Sequence, residues 1–400
     1  KHCRESRKPR ETKRTSEEKL PTFSVVVPAK NEEAVLPRIL NALLRQDYPA
    51  EKFEVIVAED GSTDLTADIG TEYAERSPGR IRVVHSESTA GKPSALNHAL
   101  AECRGDIVAV FDADGIPEQD ALSNAAEHFH DASVVALQGR TLTVNADVNM
   151  LTKFVSYEES GFYEGYMNGK EALNLFVDLK GSCQFIRRAV LEDLGGWSEG
   201  HLSEDIELSV RLTERRHRIK YASDVRSWQE APESLAQMFG QRVRWFRGTM
   251  EVALNYGRLI RRPSFRTLDA EATLFAPFLL ILSLISYLFG PLALTGLNGS
   301  VVLMVSLAGW LILTATLIVG AAALLYVAHP KRKRDLLWFP FVYVYWSFQV
   351  FFATWALVKI LCRAPREWRK TPKTGKVATT DADVQAQTVR QNPPTRREPT

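Results

Sequence analysis

Three acidic clusters and one basic aromatic stretch carry the chemistry that this sequence offers. "VAEDGSTD" (57–64) sets Asp60 behind a β-branched run and ahead of Gly-Ser-Thr. A carboxylate there can hold a nucleoside, with the glycine turning the chain tightly. The same residues also make an ordinary surface turn with Asp64 as a helix cap. "FDAD" (111–114) places Asp112 and Asp114 two residues apart after an apolar strand. Paired hard oxygens suit Mg²⁺ or Mn²⁺ on a diphosphate. D-x-D is short and common, so a polar strand end is the competing reading; yet burying two adjacent carboxylates without a cation is costly. In "HLSEDIELSVRL" (201–212), Ser203 can cap a helix whose first turn carries Glu204, Asp205 and Glu207. The alternative makes Asp205 a general base for an acceptor hydroxyl.

The fourth stretch is "QRVRWFRGTM" (241–250). Leu235, Phe239, Val243, Phe246, Met250 and Ala253 recur at helical spacing and share one face. Gln241, Arg244, Trp245 and Gly248 fall opposite, and Gly248 leaves that face open to close approach. An amphipathic helix on a membrane explains the apolar face, with arginines at lipid headgroups. It does not explain the polar cluster. Arginine can pair with a diphosphate through two hydrogen bonds, and an indole can stack on a sugar ring. "GSCQFIRR" (181–188) reads as a buried strand with a turn, and "WRKTPKTG" (368–375) as a solvated basic segment.

The elements that must position these residues alternate. "TFSVVVPAK", "FEVIVAED", "IRVVHS" and "DIVAVFDAD" are short strands, separated by helical stripes in "EEAVLPRILNALLRQ", "STDLTADIGTEYAERS" and "KPSALNHALAEC". That alternation predicts an α/β fold with a parallel sheet covered on both faces. Right-handed crossovers put the ligand cleft at the carboxyl ends of the strands. Asp60, Asp112 and Asp114 are then expected on one rim.

Residues 1–20 are basic and polar and read as a flexible tail. None of the four cysteines pairs as C-x-x-C, so neither a zinc site nor a disulfide scaffold is expected. Segments 274–294 and 300–328 carry no charged side chain and are long enough to span a bilayer. Basic "RLIRRPSFR" precedes the first and "HPKRKR" follows the second, so the positive-inside rule makes them a hairpin with both ends cytoplasmic. Segment 338–360 is rich in Trp, Tyr and Phe and is followed by another basic cluster, which predicts an interfacial or re-entrant helix. The expected division is a tail over 1–20, a catalytic domain over 21–228 and amphipathic interface helices over 229–272. The hairpin then covers 273–329, the interfacial helix 330–366, and a further basic segment with a disordered end 367–400.

Taken in order, "VVVPAKNEE", "EDGSTD", "AGKPSALNHAL", "DAD", "SED" and "QRVRW" resemble family 2 glycosyltransferases of the membrane-embedded type. That group includes cellulose synthase, hyaluronan synthase and bacterial poly-N-acetylglucosamine synthase. The resemblance covers roughly 22–260 and implies a GT-A (Rossmann-like, mostly parallel) cytosolic domain followed by an α-helical membrane region. It implies an inverting hexosyltransferase that moves a sugar from a UDP-sugar to a growing polysaccharide at the cell membrane, processively and with translocation. The alternative is a single addition that makes a glycolipid, as ceramide glucosyltransferase does. Asp60 and Lys92 would contact the nucleoside and Asp112 the nucleotide, with Asp114 on Mg²⁺ or Mn²⁺. Asp205 would be the base, Gln241 and Arg244 would hold the diphosphate, and Trp245 would stack on the acceptor sugar. Gly181, Ser182 and Cys183 would touch the acceptor, although "GSC" departs from the cellulose synthase pattern. Trp368, Thr371 and Lys373 look like the family's gating loop. Further channel helices are expected before Lys1 or in another membrane subunit. No nucleic acid partner is implied.

Overall fold

The computed structural model describes residues 20–86, 91–257, 259, 263–293, scattered positions between 304 and 319, 339–366 and 371–375. Nearly all of the basic tail, the body of the second apolar segment, "TGLNGS", "HPKRKR", Trp368 and the chain end lie outside the described residues.

Eight strands form one sheet in the order β3-β2-β1-β4-β7-β6-β8-β5. They are β1 (Phe23–Ala29), β2 (Phe53–Glu59), β3 (Ile81–His85), β4 (Ile107–Val110), β5 (Ile116–Pro117), β6 (Val134–Thr143), β7 (Gln184–Arg187) and β8 (Arg218–Gln229). β1 pairs in parallel with both β2 and β4, and β6 in parallel with β8. β7 is antiparallel to β4 and β6, and β5 to β8. The sheet is therefore mostly parallel with two reversed strands. Both faces are covered, which is why β1 reads as a continuous apolar run. Val25 and Val27 pack under α1 (Leu36–Leu44), α2 (Thr66–Arg76) and α4 (Ala121–Phe129). Val26 packs on the other face with Ala95 and Leu96 of α3 (Lys92–Glu102) and Leu208 and Leu212 of α8 (Glu204–Glu214). "QFIRR" is β7 running into α7 (Arg188–Asp193).

Between β6 and β7 the chain forms α5 (Met150–Ser160), a π-helix (Gly161–Met167) and α6 (Asn168–Ala172). After the sheet come α9 (Leu235–Tyr256), α10 (Phe265–Ala293) and α11 (Phe339–Leu361). α9 opens with a capping box between Ser234 and Gln237. Its apolar face is buried at Met238, Val243 and Met250 against Tyr345, Phe352, Ala353 and Ala356 of α11. Leu235 and Phe239 remain partly open to solvent, although Phe239 meets Phe352 edge-on at 5.5 Å. Among the described residues, one helix window, Val344–Leu361, is long and apolar enough to cross a membrane by length and composition. It lies in the segment that the aromatic content assigned to the interface. Only 28% of it is buried.

Candidate active site

The carboxyl ends of β1, β2 and β4 open into one cavity of about 470 Å³. Asp60, Lys92, Asp112, Asp114, Gly181, Ser182, Asp205, Gln241, Arg244, Trp245, Thr371 and Lys373 all line it. The parallel order β2-β1-β4 brings the three strand-end aspartates to one rim, as the alternating pattern requires. Asp60 is 3% exposed; Lys30 stands 3.3 Å from its Oδ2, and the Gly91 N–H donates to the same oxygen. Its Oδ1 is buried without a hydrogen-bond partner.

Lys92 begins α3 and is the hub of the site. Its ammonium lies 2.7 Å from Asp112 Oδ1, 2.9 Å from the Gly181 carbonyl and 3.4 Å from Glu204 Oε1. It therefore sits at the junction of the carboxylates, in the cavity that Asp60 also lines. Gly181 has φ +77°, and a β-carbon there would lie 3.1 Å from both Asp205 Oδ2 and Lys92 Nζ. Asp205 stands in the first turn of α8. Burial, then the neighbouring Glu204 charge, push its carboxyl up to about 7, against the pull of Lys92. Burial also raises Asp112, and Asp114 adds to this, while Lys92 opposes it. A carboxyl held near neutrality among other acidic side chains is suited to proton abstraction.

α9 supplies the opposite wall. Burial lowers the Arg244 guanidinium, although Glu204, Asp205 and Asp112 favour its charge. Arg242 lies 2.7 Å from Glu158 Oε2, and its guanidinium is 4.6 Å from the Trp245 ring centroid. Arg247 turns away from the cavity. It donates to the carbonyls of Ala364 (2.6 Å) and Pro365 (2.9 Å) just past α11, which ties that helix to α9. Gly248 allows α9 to approach α8: a β-carbon would come within 2.0 Å of Ser203 Oγ. The Ser203 hydroxyl makes no capping bond to α8.

Residues 371–375 are docked on the site. Lys373 Nζ stands 2.6 Å from Asp114 Oδ2 and donates to the Glu230 carbonyl, also at 2.6 Å. The backbone N–H groups of Thr374 and Gly375 donate to the Glu230 carboxylate, which also pairs with buried Arg38 at 2.8 Å. Burial pushes Asp114 up, but Lys373 and Arg38 outweigh it and hold the carboxyl below the ordinary range. Among the described residues no three His, Cys, Asp or Glu side chains converge on a metal cage. A Mg²⁺ or Mn²⁺ on a nucleotide needs only one or two carboxylates plus phosphate oxygens. Asp114 fits that limited demand, since it lines the cavity, is held ionised and already accommodates an ammonium.

Cys183 is a correction. Its side chain is fully buried with Phe185 and Val225 in the core, not in the cavity wall that Gly181 and Ser182 line. Its φ of +51° turns the chain so that Sγ lies under β6. Asp178, Lys180, Glu158, Glu159, Phe162 and Glu230 belong to the site or its supports, and no motif marked them. The available signal was "YEESGFY", two adjacent carboxylates followed by aromatics one turn on.

Residues 21–248, more than half of the chain, match the model of glycosyltransferase like family 2. The chain belongs to glycosyltransferase family 2. It is 32% identical over 243 residues to a β-monoglucosyldiacylglycerol synthase of Synechocystis, covering 60% of this chain and 50% of that one. It is 30% identical over 225 residues to a poly-β-1,6-N-acetyl-D-glucosamine synthase of Staphylococcus aureus, covering 56% and 53%. The matches thus span about half the length of these relatives. Among solved structures it resembles a mannosyltransferase of Pyrobaculum calidifontis in complex with GDP-Man and Mn²⁺, with TM-score 0.57 and 22% identity over 87% of this chain and 89% of that one. That likeness establishes the fold, a mostly parallel GT-A sheet flanked by helices.

Proposed function

We propose that this transferase moves a sugar, with inversion, from a UDP-sugar to a hydroxyl of a growing glycan at the cytoplasmic face of the cell membrane. The observation that carries this is the single cavity in which Asp60, the Asp112–Asp114 pair, Asp205 and Trp245 share one space. Asp60 holds the nucleoside end, and Asp112, Gln241 and Arg244 receive the diphosphate. Asp205 takes the proton of the attacking hydroxyl as the new C–O bond forms and the C1–phosphate bond breaks, its electron pair leaving with UDP. Asp114 would hold Mg²⁺ or Mn²⁺, which when bound supplies charge stabilisation to the leaving diphosphate. Trp245 offers the acceptor ring a stacking surface. Thr371 and Lys373 close the nucleotide end, with Trp368 assigned to the same segment. Gly181 and Ser182 flank the acceptor.

A poly-N-acetylglucosamine synthase among the relatives supports a polymeric product, and the glucosyldiacylglycerol synthase a lipid one. The lipid reading draws on one further observation, the apolar residues Leu274, Pro277 and Leu280 of α10 in the cavity wall. UDP release from detergent-solubilised protein with Mn²⁺ across a panel of UDP-sugars, followed by product sizing, tests both. A long glycan supports processive synthesis; a single-sugar lipid supports the second reading. No release with any donor would overturn the assignment.

A further inference from the structure

One wall of the cavity has no part in the chemistry above. Glu158 and Glu159 close α5, Phe162 and Tyr163 open the π-helix, and all four line the cavity. π-Helical turns are rare and gather at functional sites. Arg242 and Tyr345 both donate to Glu158 Oε2, so Oε1 is the oxygen left to a ligand. Arg242 in turn stacks on Trp245. Asp178 lines the same cavity at 2% exposed, and its Oδ1 has no hydrogen-bond partner. Its Oδ2 is held by Lys180, whose ammonium stands 4.8 Å over the Phe162 ring. Carboxylate oxygens open to a ligand, in a cavity that an indole also lines, match a ring that carries several hydroxyls. A diacylglycerol, with a single hydroxyl, leaves them unanswered.

We propose that Glu158, Asp178 and Arg242 form an acceptor-specificity subsite that takes a polyhydroxy acceptor, the end of a glycan, by the hydroxyls beside the attacking one. Glu158 and Asp178 accept from those hydroxyls. Arg242 is a positioning residue that fixes Glu158 and the plane of Trp245. This rests on the transferase reading above.

The test uses the purified chain in detergent with whichever of UDP-glucose and UDP-N-acetylglucosamine releases UDP. Acceptors are methyl β-D-glucopyranoside, its monodeoxy forms, and 1,2-dioleoylglycerol. The glucoside should be glycosylated, and deletion of one non-attacking hydroxyl should raise the acceptor KM about ten- to a hundredfold. Glu158→Gln should erase that discrimination and raise the acceptor KM more than the donor KM. Arg242→Lys should recover more of the acceptor KM than Arg242→Met. Equal rates for all deoxy acceptors that keep the attacking hydroxyl would overturn the subsite. So would transfer to dioleoylglycerol alone, or donor and acceptor KM rising by one factor in Glu158→Gln. The deoxy series on the unaltered chain decides even where the variants fail to fold. Absence of UDP release from the unaltered chain brings down the transferase reading and this subsite with it.

Discussion

On the proposed mechanism, Asp205 sets the pH response of the site. Its carboxyl is raised to about 7, so transfer should fall on an acid limb near that pH, read as UDP release against pH. Asp205→Asn should remove the limb and lower transfer by about 10²–10⁴. The stability sign also follows. Between the ordinary carboxylate range and that raised value, the folded chain keeps a proton that the unfolded chain has released. Stability therefore declines as pH rises through this window. Asp205→Asn should melt above the parent at pH 8 and close to it at pH 4. Lys92 works in the other direction, since its charge favours the ionised base. Lys92→Met should move the acid limb to higher pH and lower the urea midpoint. The cost is about 2 kcal/mol, less than for a fully buried pair because Asp112 keeps solvent access.

At the scale of elements, α8 and α9 must meet closely for Asp205 and the arginine–tryptophan wall to face one cavity. Gly248 makes that approach possible against Ser203, directly before Glu204 and Asp205. Gly248→Ala should push the helices apart and cut kcat about ten- to a hundredfold. Gly240, on the same helix, has nothing within 4 Å of an added β-carbon. Gly240→Ala should keep activity and stabilise by about 0.5–1 kcal/mol, visible as a higher Tm. The two substitutions together separate helix propensity from helix contact. The motif spelled out the helix, its period and its polar face. It did not reveal that Arg242 and Arg247 serve the structure around the site, one holding Glu158 and the other the end of α11.

Across the whole molecule, one buried carboxylate joins the start of the fold to its far end. Glu230 pairs with Arg38 of α1 and accepts the backbone of Thr374 and Gly375. Glu230→Ala should undock 371–375, raise the UDP-sugar KM about tenfold and speed tryptic cleavage at Lys373. α11 is fastened to α9 by side-chain packing and by Arg247. α11, long and apolar enough to span a membrane, is thus bonded directly to the helix that carries Arg244 and Trp245.

The sequence by itself determined the alternating α/β order, the rim of aspartates and the two-faced helix of QRVRW. Each depends on short-range periodicity, which a strand or helix converts directly into a shared face. Asp60, Asp112, Asp114, Arg244 and Trp245 were legible for that reason, and Asp205 only as one of three acids in a helix's first turn. Only the tertiary structure decided which neighbours those residues meet. Cys183 follows Gly181 and Ser182 in sequence, yet its positive φ sends it into the core. Lys92 bonds Asp112 and the Gly181 carbonyl, and Glu158 bonds Arg242 and Tyr345, across long stretches of chain. No local period encodes such pairs; they form because packed layers remove the side chains from water and leave each charge only the partners that the fold brings alongside.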